Sequence, residues 1–202
     1  MSIEFWITSL VVVLVPGTGV IYTVSAGITG GLRKSLWAAG GCTLGILPHV
    51  VASLVGVSAL LHSSAVAFSV LKYAGVAYLL FLAWRMWRDK AEWAAAKVSE
   101  TRGGATFRKA FLMNILNPKL TIFFLAFLPQ FVSVRQGNVP LQMVVLSLCF
   151  MALTLVVFVL YGLVAHSFRE LLVRSPRALR VMNRTFAGVL GFFGVQLALS
   201  DR

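Results

Sequence analysis

Long apolar stretches separated by short polar segments make up most of the chain. Each stretch is long enough to cross the ~30 Å hydrocarbon layer of a bilayer as a helix. The stretches are continuously hydrophobic and lack the ten-residue alternation of membrane β-strands, which favours helices. The pattern therefore predicts an all-α polytopic membrane protein with six transmembrane helices, at about 3–26, 36–61, 65–87, 107–132, 139–165 and 181–199.

A single long polar segment, at about 88–106, divides these six spans into two groups of three. It carries mixed charges and the pair Gly103-Gly104, which is typical of a surface linker on the cytoplasmic side. With an odd number of spans in each half, the second half enters the membrane from the opposite face. The sequence thus predicts one membrane domain over 1–202, built from two inverted repeats at about 1–90 and 107–202.

The first span of each predicted repeat contains a proline motif near its middle. The first motif is Pro16-Gly17-Thr18-Gly19, and the second is Asn117-Pro118-Lys119. Proline lacks a backbone donor and disfavours helical geometry in the residue before it, so both spans should be broken inside the membrane. Paired broken spans in corresponding positions of two inverted halves indicate a transporter site. For Pro16-Gly17 alone, a simple kink is an equally good interpretation.

Lys119 is the charged residue placed deepest in the predicted membrane region. It lies about twelve residues into the fourth span, which at ~1.5 Å per residue is close to the bilayer centre. A charge at that depth costs at least about 2.5–3.5 kcal/mol on insertion scales, so it requires a partner or a polar cavity. The alternative is a proline kink with a lysine that extends to one membrane surface.

Composition and charge support the membrane interpretation. Hydrophobic residues make up 59% of the chain and charged residues only 12%, while the net charge is +12. Apart from Lys119, the basic residues lie between the predicted spans or near their ends, fourteen on one side of the membrane and three on the other. The positive-inside rule places the richer side in the cytoplasm and both termini outside. The same distribution argues against a nucleic-acid partner.

The polar residues give little support to an enzyme. A membrane-embedded enzyme would need a convergent acid–base pair, a nucleophile with its base, or a metal cluster. No metal-ligand spacing links the three histidines, so neither a metal nor another cofactor is predicted. All six acidic residues lie near span ends or in loops: Glu4, Asp89, Glu92, Glu100, Glu170 and Asp201. A passive channel, or an exporter of another small solute or ion, remains the alternative function.

Several motifs, in order and with characteristic spacing, carry a family resemblance over essentially the whole chain. They are Pro16-Gly17-Thr18-Gly19, the segment from Gly41 to His49, the segment from Leu71 to Leu79, the segment from Phe111 through Asn117-Pro118-Lys119 to Phe131, and Asn183-Arg184 followed by Gly188. On these residues the chain resembles the LysE/RhtB family of amino-acid exporters. The resemblance implies a secondary exporter of amino acids or closely related small metabolites in the bacterial inner membrane, driven by an ion gradient, with protons as the expected coupling ion.

Two positions depart from the family pattern. Many members have Pro-Gly-Pro where this chain has Pro16-Gly17-Thr18, so the backbone here should be less constrained. Some members carry an acidic residue in the fifth span, where this chain has Thr154. Because no carboxylate lies deep in any predicted span, the group that carries the proton is left open. The partners implied are an amino-acid substrate and membrane lipids, with a homodimer as one alternative for the oligomeric state.

The predicted site lies where the two broken spans meet. We expect a substrate carboxylate to be held by Lys119 and by backbone N–H groups freed at the breaks. A substrate ammonium would contact carbonyl groups near the breaks, the Asn117 amide, or the hydroxyls of Thr18 and Tyr22. Tyr22 packed between helices is an equally good interpretation. The predicted substrate-binding set is Pro16, Gly17, Thr18, Gly19, Tyr22, Asn117, Pro118 and Lys119.

His49 is the first candidate for proton coupling, and Lys119 is the second. Histidine titrates near neutral pH, and His49 lies in the middle of the second span. A hydrogen-bonded packing histidine is the alternative. The nearby small residues Gly40, Gly41 and Gly45 predict close helix packing.

Overall fold

A computed structural model describes residues 2–15, 17–61 and 103–167, together with the isolated helical positions 73, 77, 80, 81 and 84. Most of the predicted third span, most of the predicted linker, the whole sixth span and Pro16 lie outside the described residues. The described part contains helices and turns and no strands, which confirms the all-α prediction.

The first span is broken where the sequence predicts. Helix α1 covers Ile3–Leu14, and its first turn is capped by the Ser2 hydroxyl, which accepts from the backbone N–H of Phe5. Val15 has an extended ψ of 122°, as the residue before a proline should, and ends the helix. Gly17 is also extended, and helix α2 begins at Thr18.

Helix α2 (Thr18–Leu44) is a hairpin of two arms that reverses at Gly31. The Ser35 hydroxyl donates to the Thr23 carbonyl at 3.0 Å, whereas twelve residues of straight helix would separate these positions by about 18 Å. Gly31 has a φ of 74°, in the left-handed region that favours glycine. The predicted spans at 3–26 and 36–61 leave 27–35 between them as a loop, but most of this interval is helical, because one glycine makes the turn. After a turn at Gly45 and Ile46, helix α3 (Leu47–Leu61) continues the second arm.

The fourth span consists of two helical segments bent by 48°. Helix α4 covers Gly103–Ile115, and helix α5 covers Pro118–Ile122 and continues through a π-helical turn and a 3₁₀ turn to Phe131. Gly103 and Gly104, at the end of the predicted linker, form the first two residues of α4. Gly103 packs against the indole of Trp37 so closely that a Cβ there would overlap the ring. After a short 3₁₀ turn at Val134–Gln136, helix α6 covers Val139–Ser167.

The first and fourth spans lie antiparallel, with their two breaks side by side. At one end the ring of Phe5 lies 5.5 Å from that of Phe131. At the other end Lys109 Nζ lies 5.5 Å from the centre of the Tyr22 ring. Lys119 contacts the end of α1 between these two points. The breaks therefore meet near the middle of both spans.

Several described helices are suited to a membrane. By length and composition, α6 and the stretch 18–56 could each cross a bilayer, and the bent pair of α4 with 118–131 adds a third crossing. Because α2 reverses at Gly31, the stretch 18–56 contributes two antiparallel arms. Leucine and valine side chains are exposed along α6, as expected for a surface that faces lipid: Leu148, Val156, Leu160 and Val164. The fold is thus that of a multi-pass membrane protein.

Glycines on the second arm of α2 allow close approach to α4, which confirms the packing prediction for Gly41 and Gly45. A Cβ at Gly41 would overlap the backbone carbonyl of Phe107, and one at Gly45 would lie 2.7 Å from the carbonyl of Phe111. Gly40 is less tightly packed, because a Cβ there would lie 3.7 Å from the ring of Phe107. The second arm and α4 therefore pack backbone to backbone along the stretch that leads to the break.

We expect Gly41→Ala to destabilise the protein by about 1–3 kcal/mol, because the added methyl group meets backbone atoms that cannot move independently. Gly40→Ala is the matched control. It gives the same gain in helix propensity but only an ordinary contact, so it should be neutral or slightly stabilising. Thermal unfolding in detergent measures both variants. Equal stability of the two would show that the arms do not pack in this way.

Candidate functional site

The carboxyl end of α1 is held by Lys119. Its ammonium donates to the carbonyl of Val12 at 2.8 Å and to the carbonyl of Val15 at 2.9 Å. The last carbonyls of a helix have no partner inside it and form the negative end of its dipole, so a cation is favoured there. Lys119 is only 8% exposed. The alternative in which this lysine extends to a membrane surface is therefore wrong.

A second side chain caps the same helix end. The hydroxyl of Tyr161, on α6, donates to the carbonyl of Leu14 at 2.8 Å. Together Lys119 and Tyr161 donate hydrogen bonds to three carbonyls at the end of α1. These carbonyls lack backbone donors because the helix stops at the proline motif. The end of α1 is thus tied both to the break in the fourth span and to the fifth span.

Asn117 organises the break in the fourth span. Its side-chain oxygen accepts from the backbone N–H of Lys119 at 3.1 Å, so it is the N-cap of α5, with Pro118 as the first helical residue. Its amide nitrogen donates to the side-chain oxygen of Asn114 at 3.2 Å. Both ends of the Asn117 amide are therefore engaged, and the first free N–H of α5 is already capped.

Asn114 connects this break to the second arm of α2. It is 2% exposed, and its amide nitrogen donates to the carbonyl of Cys42. A Cβ at Gly19 would lie 3.0 Å from the Asn114 side-chain oxygen, so the start of α2 packs directly against it. The first, second and fourth spans thus meet at the buried side-chain amide of Asn114.

His49 bridges the two halves of the broken fourth span. Its Nε2 lies 3.0 Å from the carbonyl of Asn114, before the break, and its Nδ1 lies 3.3 Å from the hydroxyl of Thr121, after it. A carbonyl can only accept, so Nε2 carries the hydrogen, and in the neutral ring Nδ1 accepts from Thr121. In this conformation His49 is therefore a hydrogen-bonded packing residue, which is the alternative that the sequence left open beside proton coupling.

The wide π-helical turn after α5 is also tied to the second span. In this turn the N–H of Leu128 bonds to the carbonyl of Phe123, five residues back, which leaves the carbonyl of Phe124 without its usual donor. The hydroxyl of Ser53 supplies that donor. Both sides of the break are thus fixed by the second span.

A small cavity lies where the two breaks meet. The polar part of its wall comes from both breaks, and the apolar part comes mainly from α1 and α6. Its lining consists of Val12, Val13, Gly17, Gly19, Val20, Asn114, Asn117, Lys119, Leu120, Phe150, Thr154 and Phe158. The free volume is about 10 Å³, which is room for about one water molecule. In this conformation the cavity beside Lys119 is too small for an amino acid.

The amino end of α2 faces the same cavity. Gly17 is its N-cap, and among the described residues no side chain caps its first N–H groups. A Cβ at Gly17 would lie 3.3 Å from Lys119 Nζ, so the helix start and the ammonium are neighbours. The positive end of a helix dipole and a lysine side chain are thus adjacent, an arrangement suited to an anionic group.

The structure brings only part of the predicted substrate-binding set together. Four members line the cavity: Gly17, Gly19, Asn117 and Lys119. The side chains of Thr18 and Pro118 are exposed and do not line it. Tyr22 is buried beneath Lys109, outside the cavity lining, so the structure places it in helix packing. Pro16 lies outside the described residues.

Sequence reasoning missed Asn114 and Tyr161. Asn114 carried a usable signal, because it is a polar side chain within an apolar stretch, three residues before Asn117. Tyr161 carried none, because its phenol reaches α1 through tertiary packing. Thr154, which takes the place of an acidic residue in the family pattern, does line the cavity.

Comparison with known proteins identifies the family to which this chain is related. A model described as LysE type translocator matches residues 10–201. An uncharacterized membrane protein of Vibrio cholerae serotype O1 is 34% identical over 98% of both chains. A homoserine/homoserine lactone efflux protein of Salmonella typhimurium is 30% identical over 98% of both chains. A leucine efflux protein of Enterobacter sp. (strain 638) is 28% identical over 72% of this chain and 71% of its own. No solved structure matches significantly.

The family match spans nearly the whole sequence, including both helix breaks and α6. It confirms the resemblance that the proline motifs carry. Members of this family are transporters and not enzymes, which agrees with the absence of a catalytic constellation in the sequence. This chain belongs to the LysE type translocator family.

Proposed function

We propose that this protein is a secondary exporter of amino acids or closely related small metabolites across the bacterial inner membrane, coupled to protons. The observation that supports this most directly is the meeting of two broken helices around the buried ammonium of Lys119. Homoserine, homoserine lactone and leucine, named for two of the relatives, all carry a primary amino group. We infer that the substrate of this protein carries one as well.

The proposed architecture is six spans in two inverted repeats. The antiparallel arrangement of the first and fourth spans supports it, because the first spans of two inverted halves must cross in opposite directions. The break positions support it too, since α1 ends after twelve helical residues and α4 after thirteen. The positive-inside rule assigns the loops rich in basic residues to the cytoplasm, so we propose that both termini lie in the periplasm.

The proposed substrate site is the cavity around Lys119. A carboxylate there would contact the Lys119 ammonium and the N–H groups at the start of α2. Because the cavity now holds about 10 Å³, binding requires the breaks to separate. A site that must change shape before it can hold its substrate supports an alternating carrier rather than a permanently open channel.

Counterflow in proteoliposomes tests the proposed function. Vesicles loaded with unlabelled amino acid should accumulate the labelled form transiently, and homoserine and leucine are the first probes. Empty vesicles and vesicles with heat-inactivated protein are the controls. Ion flux without substrate, and no counterflow with any amino acid in a broad panel, would instead support the channel alternative.

For the coupling role we expect His49→Gln to abolish the stimulation of export by a pH gradient while exchange counterflow persists. Exchange moves no net proton, so it does not need the coupling group, whereas gradient-driven export does. Thr121→Val is the control, because it removes the hydroxyl partner of His49 and keeps the imidazole. The measurement compares export with and without an imposed gradient. If His49→Gln responded like the wild type, the proton would have to be carried by another group, with Lys119 next.

A further inference from the structure

The carboxyl end of α1 is built as a site for an ammonium group. The carbonyls of Val12 and Val15 converge on one nitrogen, at 2.8 and 2.9 Å, inside a membrane span. Val12 lies in the last turn of the helix and Val15 is its C-cap, so both carbonyls are at the end where the dipole favours a cation. In this conformation the cation is part of the chain itself, since it is the side chain of Lys119.

The same cavity offers complementary groups for the rest of an amino acid. The uncapped start of α2 adjoins the ammonium, and Gly17 is the residue between the two. A molecule with an amino group at one end and a carboxyl group at the other would match the two ends of the broken first span. The cavity has no room for such a molecule while Lys119 is bound to the carbonyls of Val12 and Val15.

We propose that Lys119 is an internal substitute for the amino group of the substrate. This inference rests on the proposed export function. When substrate enters, its primary ammonium replaces Lys119 on the carbonyls of Val12 and Val15, and Lys119 turns toward the carboxyl end of the substrate. One ammonium caps α1 before and after the exchange, and Lys119, once released, pairs with the carboxyl group of the substrate.

The exchange defines a substrate class. Two converging carbonyls require a nitrogen with at least two N–H donors, so a primary ammonium fits and a trimethylated nitrogen does not. The exchange also explains how an empty carrier closes, since the lysine keeps the helix end satisfied when no substrate is present. An empty site without this lysine would leave two carbonyls unpaired in a region that lipid and protein shield from water.

Chemical rescue of Lys119→Ala tests the ammonium site without requiring transport. The probe is methylammonium, which has three N–H donors and fits the space the lysine side chain vacates. At about ten times its dissociation constant it should raise the midpoint of thermal unfolding of the variant by about 2–6 °C. Tetramethylammonium, with the same charge and no donor, should have no effect. Wild-type protein and Lys109→Ala, in which the α1 carbonyls remain occupied, should not respond to either salt.

An equal response of the variant to both salts, or no response to methylammonium, would overturn the inference. If Lys119→Ala does not yield folded protein, competition in wild-type counterflow decides instead. Excess unlabelled homoserine should suppress uptake of labelled homoserine, and its N-trimethyl derivative should not. Equal suppression by both compounds would overturn the inference while leaving export intact. Rescue by methylammonium without counterflow would overturn the export proposal alone.

Discussion

Replacing Lys119 with alanine should lower the export rate at least about 100-fold while the protein still reaches the membrane. The variant loses the donor for two carbonyls of α1, and each unpaired buried carbonyl costs about 1–3 kcal/mol. It also loses the cation proposed to pair with the substrate carboxyl group. Truncating one partner of a buried charge pair costs about 2–5 kcal/mol, and about 1.4 kcal/mol corresponds to a factor of ten, so the loss of this cation accounts for the predicted decrease. Initial rates of counterflow, normalised to the amount of protein in the vesicles, measure it.

Lys109→Ala is the matched control for this experiment. Lys109 lies on α4, upstream of the same break, and its ammonium sits over the ring of Tyr22. A contact of this kind contributes about 0.5–1 kcal/mol at an exposed site, so its loss should change the export rate by less than about tenfold. Retained transport by Lys119→Ala, at a rate similar to that of Lys109→Ala, would remove Lys119 from the substrate site.

The helix breaks were predictable because their cause is local. Proline lacks a donor wherever it lies, and it restricts the residue before it in any environment, as Val15 and Asn117 both show. The depth of Lys119 followed from counting residues in an apolar stretch. Its need for a partner followed from the cost of a charge in lipid.

The identity of that partner was not predictable, because it depends on how the spans pack. The sequence suggested that Lys119 and the freed N–H groups together face a substrate carboxylate. In the structure it donates to the carbonyl end of α1, and Asn117 already caps the N–H of Lys119. The span that lies opposite a break is decided by tertiary contacts such as Phe5 with Phe131, and one sequence alone does not reveal them.

The turn at Gly31 is a second feature that depends on how the helices pack. The predicted spans end at 26 and begin again at 36, which indicated a loop of several residues, yet the two arms of α2 remain helical up to the reversal. Hydrogen bonding between the arms, such as that of Ser35 to Thr23, makes the tight turn favourable. The sequence therefore predicted roughly where the chain reverses, and packing between the two arms determined how few residues make the turn.

Replacing Asn114 with leucine should lower the free energy of unfolding by about 2–4 kcal/mol and abolish export. Leucine has a similar volume but cannot donate to the carbonyl of Cys42 or accept from the amide of Asn117. Both partners are buried and would be left unpaired, at about 1–3 kcal/mol each. For a chain of this size the midpoint of thermal unfolding should fall by about 4–16 °C, measured in detergent.

Leu112→Ala provides the control on the same helix, because Leu112 is 52% exposed and should contribute little to the packing of α4. The loss of export in Asn114→Leu has a separate physical reason. Asn117 sets the start of α5 and hence the direction of Lys119, and the amide of Asn114 holds Asn117 in place. An Asn114→Leu protein with the thermal stability and export rate of the Leu112→Ala variant would contradict this account. The buried amide would then be a packing feature, and the position of Lys119 would depend on α1 and α5 alone.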